Sequence, residues 1–198
     1  MNLEEKALRV REVFDELQLE TDRFISQSKI SCIQGCGHCC TNPKVPASIL
    51  EFLPLAFDLY RKGKAEEFLS LLESATEDSY CVILKKMSKD ADAGQCADYS
   101  NRGLICRLFA SSARKNKKGE KELIICKKIK EQKKEAYDTA TAAINQGLDV
   151  PLSADYYVRL FNIDFNLSHE QMPINVAIRK AIEEVLRHFW YMDEGTAV

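Results

Sequence analysis

The sequence predicts a mostly α fold, a single irregular helical domain over residues 1–198, wrapped around a cysteine-rich metal site with at most a short β-hairpin. Three observations predict it. Apolar side chains recur at three- and four-residue intervals through most segments, the period of an amphipathic helix. The composition is that of an ordinary globular protein, 45% hydrophobic and 29% charged with few Gly or Pro, and the length is enough to bury a core without staples. Finally, half of the eight cysteines fall within nine residues, Cys32 to Cys40, so four thiols must lie close together whatever surrounds them.

Taken in order, residues 3–28 carry apolar side chains at Leu3, Ala7, Leu8, Val10, Val13, Phe14, Leu17, Phe24 and Ile25, the three- and four-residue spacing of an amphipathic helix, with a possible break near Leu19 to Thr21. After the cysteine loop, Asn42-Pro43-Lys44-Val45-Pro46 reads as an extended connector. Ser48 with Glu51 is a capping-box pair for a helix over 49–62, where Pro54 either kinks the second turn or marks the true start. Gly63 ends it, and 64–75 is a further helix. Residues 79–112 lose periodicity, with 85–94 a mostly polar insertion and short strands possible at 81–84 and 123–126. One helix is expected over 127–145, closed by Gly147, and a short one around Tyr156 to Phe161. The last helix runs to about Met192, starting after Ser168 (with Gln171 in a second capping box) or at Pro173. Its expected core is Ala177, Ile178, Ala181, Val185, Leu186, Phe189 and Trp190. No internal repeat breaks this into more than one domain, with 30–126 the cysteine-cluster region and 127–198 the C-terminal helices.

A net charge of −2 and a pI near 6.0 provide no global attraction for nucleic acid or an anionic membrane. No apolar run approaches the ~18 residues of a spanning helix. Met1 to Lys6 mixes charges of both signs without an apolar stretch, so no secretory signal is read there and a cytoplasmic location is expected. In a reducing compartment eight cysteines favour metal ligation or redox chemistry over four disulfides.

The loop spacing is C-x3-C-x2-C-C, through Cys32, Cys36, Cys39 and Cys40, with Gly35 and Gly37 between. Thiolates this close suit a soft metal ion or an iron–sulfur cluster, and Gly lets the backbone curl around it. A tetrahedral zinc and a 4Fe–4S cluster each take four, so eight thiols allow two closed sites. Adjacent Cys39 and Cys40 diverge in most backbone conformations, which points to two neighbouring sites, a polynuclear cluster, or one ligand and one bystander. Cys81, Cys96, Cys106 and Cys126 are too far apart in sequence to make a second zinc knuckle. Cys81 and Cys126 also fit as small buried hydrophobes.

The loop, followed by Cys96-x2-Tyr99-x2-Arg102-x3-Cys106-Arg107-x-Phe109 and a later Cys126, resembles the YkgJ-type cysteine-cluster family over roughly residues 30–126. That family is a zinc- or iron-chelating domain described by a CxxCxxCC pattern. The first spacing here is one residue longer, Val82 stands where the family has Pro after the residue matching Cys81, residues 85–94 look inserted, and Gly103 replaces another Pro. Family members also look related to part of a flagellin lysine methylase, which keeps a methyl-transfer reading open. C-x3-C-x2-C occurs in radical-SAM enzymes too, but the βαβ alternation of their partial barrel is missing.

The expected metal ligands are Cys32, Cys36, Cys39 and Cys40, then Cys96, Cys106 and Cys126, with Cys81 last. His38, Tyr99, Arg102 and Arg107 are expected around them, the guanidinium groups offsetting thiolate charge or pairing with acids. The cofactor is an iron–sulfur cluster, slightly favoured, or zinc. The alternatives are a redox or methyl-transfer enzyme with an open coordination position, and a zinc-stabilised interaction module or metal-storage protein. Residues 114–134 hold ten Lys or Arg against three Glu, the one hint of a nucleic-acid or anionic partner, and no aromatic interleaves the run. No Ser/His/Asp triad, phosphate loop or paired carboxylates point to other catalysis.

Overall fold

The computed structural model describes residues 1–87 and 94–195, without the side chains of 193–195. In chain order the helices are α1 (Leu3–Ser28), α2 (Leu53–Arg61), α3 (Ala65–Glu73), α4 (Leu104–Leu108), α5 (Lys127–Gln132), α6 (Lys134–Asn145), α7 (Ser153–Ile163), α8 (Phe165–Ser168) and α9 (Ile174–Gly195). The strands are β1 (Pro46–Ala47), β2 (Leu84–Lys86), β3 (Gly94–Cys96), β4 (Ala113–Lys115), β5 (Lys121–Leu123) and β6 (Met172–Pro173). They form three antiparallel pairs, β1 with β6, β2 with β3 and β4 with β5. The fold is mostly α, as the periodicity predicts. The strand content exceeds one hairpin because pairs as short as Pro46↔Pro173 and Ala47↔Met172 leave no alternating pattern to read.

The chain forms two compact units. The first comprises Met1–Arg11, Gly35–Gly103 and Leu160–Val198, and the second Glu12–Gln34 and Leu104–Arg159.

The first unit is built on α9. Ile174, Ala177, Ile178, Ala181, Ile182 and Val185 are all buried, and α2 and α3 pack against them with Leu53, Leu55, Ala56, Phe57, Ala65 and Leu72. Phe189 closes the contact by stacking on Tyr60 at 4.0 Å between centroids. Trp190, expected in the core, is 66% exposed. It stands about 100° around the helix from Phe189, and the stripe facing α2 has room for one of the two. Pro54 sits in the first turn of α2, where its missing N–H is harmless, so it marks a start rather than a kink. Before it, the Ser48 amide and hydroxyl both donate to Glu51 Oε1, at 2.6 and 3.0 Å. The second capping-box expectation fails: Ser168 lies inside α8, which Asp164 caps by accepting the Leu167 amide at 3.0 Å. The long helix starts directly after Pro173.

The second unit packs Phe24 and Ile30 against Ala113, Leu123, Ile129, Ala140 and Ile144. α1 runs unbroken, because the hydroxyl of Thr21 is satisfied within the helix by Gln18 O at 2.9 Å and Leu19 points outward. The helix expected over 127–145 is two helices. Lys133 leaves the helical region (φ −124°, ψ 41°), and its ammonium donates to the carbonyl and hydroxyl of Ser31 at 3.0 and 3.1 Å.

Candidate metal centre

In the first unit the main chain itself sets the cysteine loop. Gly35 turns it with φ +72°, a conformation that costs other residues about 1–2 kcal/mol. Residues His38–Thr41 then wind into one 3-10 turn, with the Cys40 and Thr41 amides donating to Gly37 O at 2.8 and 3.2 Å. This turn docks on two later segments. The Cys81 amide donates to Cys40 O at 3.0 Å, and the Gly94 amide to Gly35 O at 3.0 Å. Gly37 and Gly94 meet backbone to backbone: a Cβ on Gly37 would stand 3.3 Å from Gly94 Cα. The hairpin β2–β3 continues the arrangement, placing Cys96 opposite Leu84, while the Leu84 amide donates to Cys81 O at 2.9 Å.

Cys39, Cys40, Cys81 and Cys96 therefore share one region, and their electrostatics register it. A hydrogen bond from Cys40 holds the Cys39 thiol down to about 6, with a weaker pull from the charge of His38. Burial pushes Cys81 up to about 11, and the charges of Cys96 and Cys39 push the same way. Cys96 is also raised, first by burial, while Arg102 opposes the rise. One thiol ionises easily and its neighbours resist adding a second negative charge. A cation would remove that resistance, and a set of soft sulfur donors suits zinc, iron or an iron–sulfur cluster. Among the described residues no three His, Cys, Asp or Glu side chains are already set at coordinating geometry.

The second unit holds Cys32, Cys106 and Cys126. Cys126 precedes the first turn of α5 and packs on the unit's core together with Ile33, which follows Cys32, and Phe109, three residues beyond Cys106. Cys32 is exposed, Cys106 and Cys126 half-buried. The Ser31 to Ile33 segment is held there by Lys133. No disulfide joins any of the eight cysteines.

The surrounding residues divide in the same way. The Arg102 guanidinium lies 3.7 Å over the ring of Tyr99, which is itself exposed. Arg107 is buried in the second unit, 4.4 Å over the ring of Phe14. Three supporting residues were not legible as such. Asn175, in the first turn of α9, accepts the Val82 amide at 2.9 Å and donates to Tyr80 O at 2.9 Å, clamping the segment that carries Cys81. Asp98 O accepts from Cys96 Sγ at 3.3 Å, and buried Asn101 holds the Asp98 carboxylate at 3.0 and 3.1 Å. The Asp-x2-Asn spacing was a faint sign of this turn, and Asn175 left none. Gly103 is explained by packing, since a Cβ there would come within 2.7 Å of Phe52 Cζ.

A family model described as "CxxCxxCC: Putative zinc- or iron-chelating domain" matches residues 31–141. No curated protein and no solved structure matches the chain. The matched region takes in all eight cysteines, both flanking arginines and more than half of the sequence. On that match and on the thiol cluster just described, this protein belongs to the CxxCxxCC family of zinc- or iron-chelating domains.

Proposed function

We propose that this protein holds an iron–sulfur cluster through its cysteine loop, with Cys39, Cys40, Cys81 and Cys96 as the central ligands and Cys36 beside them in the loop. The observation that carries this reading is the easily ionised Cys39 thiol among three further thiols on one main-chain frame. Cys39 binds before Cys81 and Cys96 because its proton leaves more easily than theirs. Cys81 follows only as the cation offsets the burial that holds its proton on. Cys32, Cys106 and Cys126 offer thiols for a companion site within the second unit, and the reducing interior of a cell keeps them as thiols. When bound, the cluster supplies electron transfer or structural cross-linking; the protein supplies soft donors, Arg102 near the sulfur charge and a held loop.

The test is anaerobic purification followed by iron, zinc and acid-labile sulfide analysis with an absorption spectrum. Broad visible charge-transfer absorption with stoichiometric sulfide is the expected result. A colourless protein holding one or two zinc ions, without sulfide, replaces the cluster by zinc and leaves the ligand set standing. Freely titrating thiols with no metal of either kind overturn the reading.

A further inference from the structure

We propose that the β4–β5 hairpin and the start of α5 form a binding face for the phosphate backbone of nucleic acid, read without regard to base sequence. The first observation is a concentration of charge. Residues 114–134 sum to +7, which leaves −9 on the other 177 residues of a chain whose total is −2. The three acids in the run do little to offset it. Glu122 meets Arg114 at 3.3 Å and Glu131 meets Lys127 at 3.6 Å, both across exposed surface. Among the described residues no carboxylate lies within 4.0 Å of Lys115, Lys117, Lys118 or Lys121.

The hairpin also tolerates an arrangement that strand pairing disfavours. Lys115 is the direct partner of Lys121, so two like charges face each other on one side of the ribbon. A bridging phosphate converts that repulsion into attraction. The tip that carries Lys117 and Lys118 is ordered rather than loose. Asn116 Oδ1 accepts the amides of Lys118 and Glu120 at 2.9 and 3.0 Å, its carbonyl accepts the Gly119 amide at 3.0 Å, and Gly119 turns with φ +82°. The amides of Lys118, Gly119 and Glu120 are spent inside the turn while the side chains of Lys117 and Lys118 are exposed, so little freedom is lost when an anion binds. Lys121 is fixed by Asn145, which accepts its amide at 2.8 Å and donates to its carbonyl at 3.0 Å.

What the patch lacks selects the partner. None of the exposed large hydrophobic residues falls between 113 and 134. A membrane surface needs apolar side chains to insert, and a protein interface needs buried aromatic or aliphatic anchors. No aromatic residue lies within 114–134, and Tyr137, just beyond it, packs on the unit's core with the ammonium of Lys130 5.0 Å over its ring, so the run carries no base-stacking platform. Charge alone remains, which is the signature of backbone contact.

The experiment is fluorescence anisotropy of the full chain with a sequence-randomised 20-mer, as duplex and as single strand. With four lysines on phosphates, raising salt from 50 to 200 mM weakens duplex binding roughly 100-fold. Replacing Lys115, Lys117 and Lys118 by Gln lowers the slope of log K against log salt by about 2.7 and leaves the melting temperature within a few degrees. Three results overturn the proposal: no binding at 50 mM salt, the same salt slope in the triple variant, or tighter binding to polyglutamate or to vesicles containing phosphatidylserine than to either nucleic acid.

Discussion

Placing a single methyl group at position 94 tests whether the cysteine loop is held by the hairpin behind it. In Gly94→Ala the new Cβ stands 3.0 Å from Lys85 O and 2.8 Å from Leu84 Cδ1. The leucine methyl can swing away, but the carbonyl belongs to the paired strand and must give by a few tenths of an ångström. Overpacking of this kind costs about 1–3 kcal/mol. In a chain of this size that lowers the melting temperature by about 2–12 °C. The same shift pulls the Gly94 amide off Gly35 O and moves Cys96 relative to Cys39, so metal affinity falls about tenfold, as for loss of a group that orients ligands. The control is Gly63→Ala, in the α2–α3 connection, where φ is +64° and no atom lies within 4 Å of the added Cβ. It costs about 1–2 kcal/mol of backbone strain and leaves metal affinity alone. Calorimetry of the metal-free protein and a competition titration with a chromophoric zinc chelator measure the two quantities separately. Wild-type melting and wild-type affinity in Gly94→Ala refute the docking of loop on hairpin; equal affinity losses in both variants refute its connection to the metal.

Three further outcomes follow from the same geometry. In the metal-free protein, iodoacetamide labels Cys39 with a midpoint near pH 6 while Cys81 stays protected below about pH 11, read by peptide mass mapping; a Cys39 midpoint above pH 8 removes the role given to Cys40. Stability of the metal-free protein follows from the same two thiols. The depressed Cys39 stabilises the fold above its unfolded value near 9, and that contribution is lost as pH falls through 6. The raised Cys81 stabilises below 9, and its share is lost as pH rises through 11, so acid and alkaline melts fall on either side. Finally, Asn175→Ala leaves the Val82 amide and Tyr80 carbonyl without their partner, costing about 1–3 kcal/mol and weakening metal binding through Cys81, whereas Asn175→Asp keeps the acceptor for Val82 and loses less.

The helices were legible because amphipathic periodicity is a local property. α1, α2 and α9 bury most of the positions that the spacing marks, with Leu8 and Trp190 exposed, α3 buries Leu72 and exposes Leu71, and Pro54 and Pro173 each stand at a helix start. Where the reading went wrong, a distant contact decided. Lys133 breaks a helix to reach Ser31, a hundred residues away, and Trp190 loses its place to the Tyr60–Phe189 stack. The cysteine loop was legible from the close spacing of Cys32, Cys36, Cys39 and Cys40. That Cys81 and Cys96 join Cys39 and Cys40, whereas Cys106 belongs with Cys126 in the other unit, depends on pairing across 40 to 60 residues of sequence, which no local pattern encodes. Of the expected 85–94 insertion, its two ends form β2 and β3, and 88–93 lie outside the described residues.

The main-chain hydrogen bonds that lash Gly35 to Gly94 and Cys40 to Cys81 involve no side chain of the loop. Scaffold and chemistry are thus separately heritable. If the proposed ligand set holds, a donor at position 39, 40, 81 or 96 can be changed while the main-chain hydrogen bonds that present it are kept, so metal preference becomes alterable one substitution at a time. For an engineer the same separation makes these four positions the first to vary, with softness and charge of the side chain as the variables.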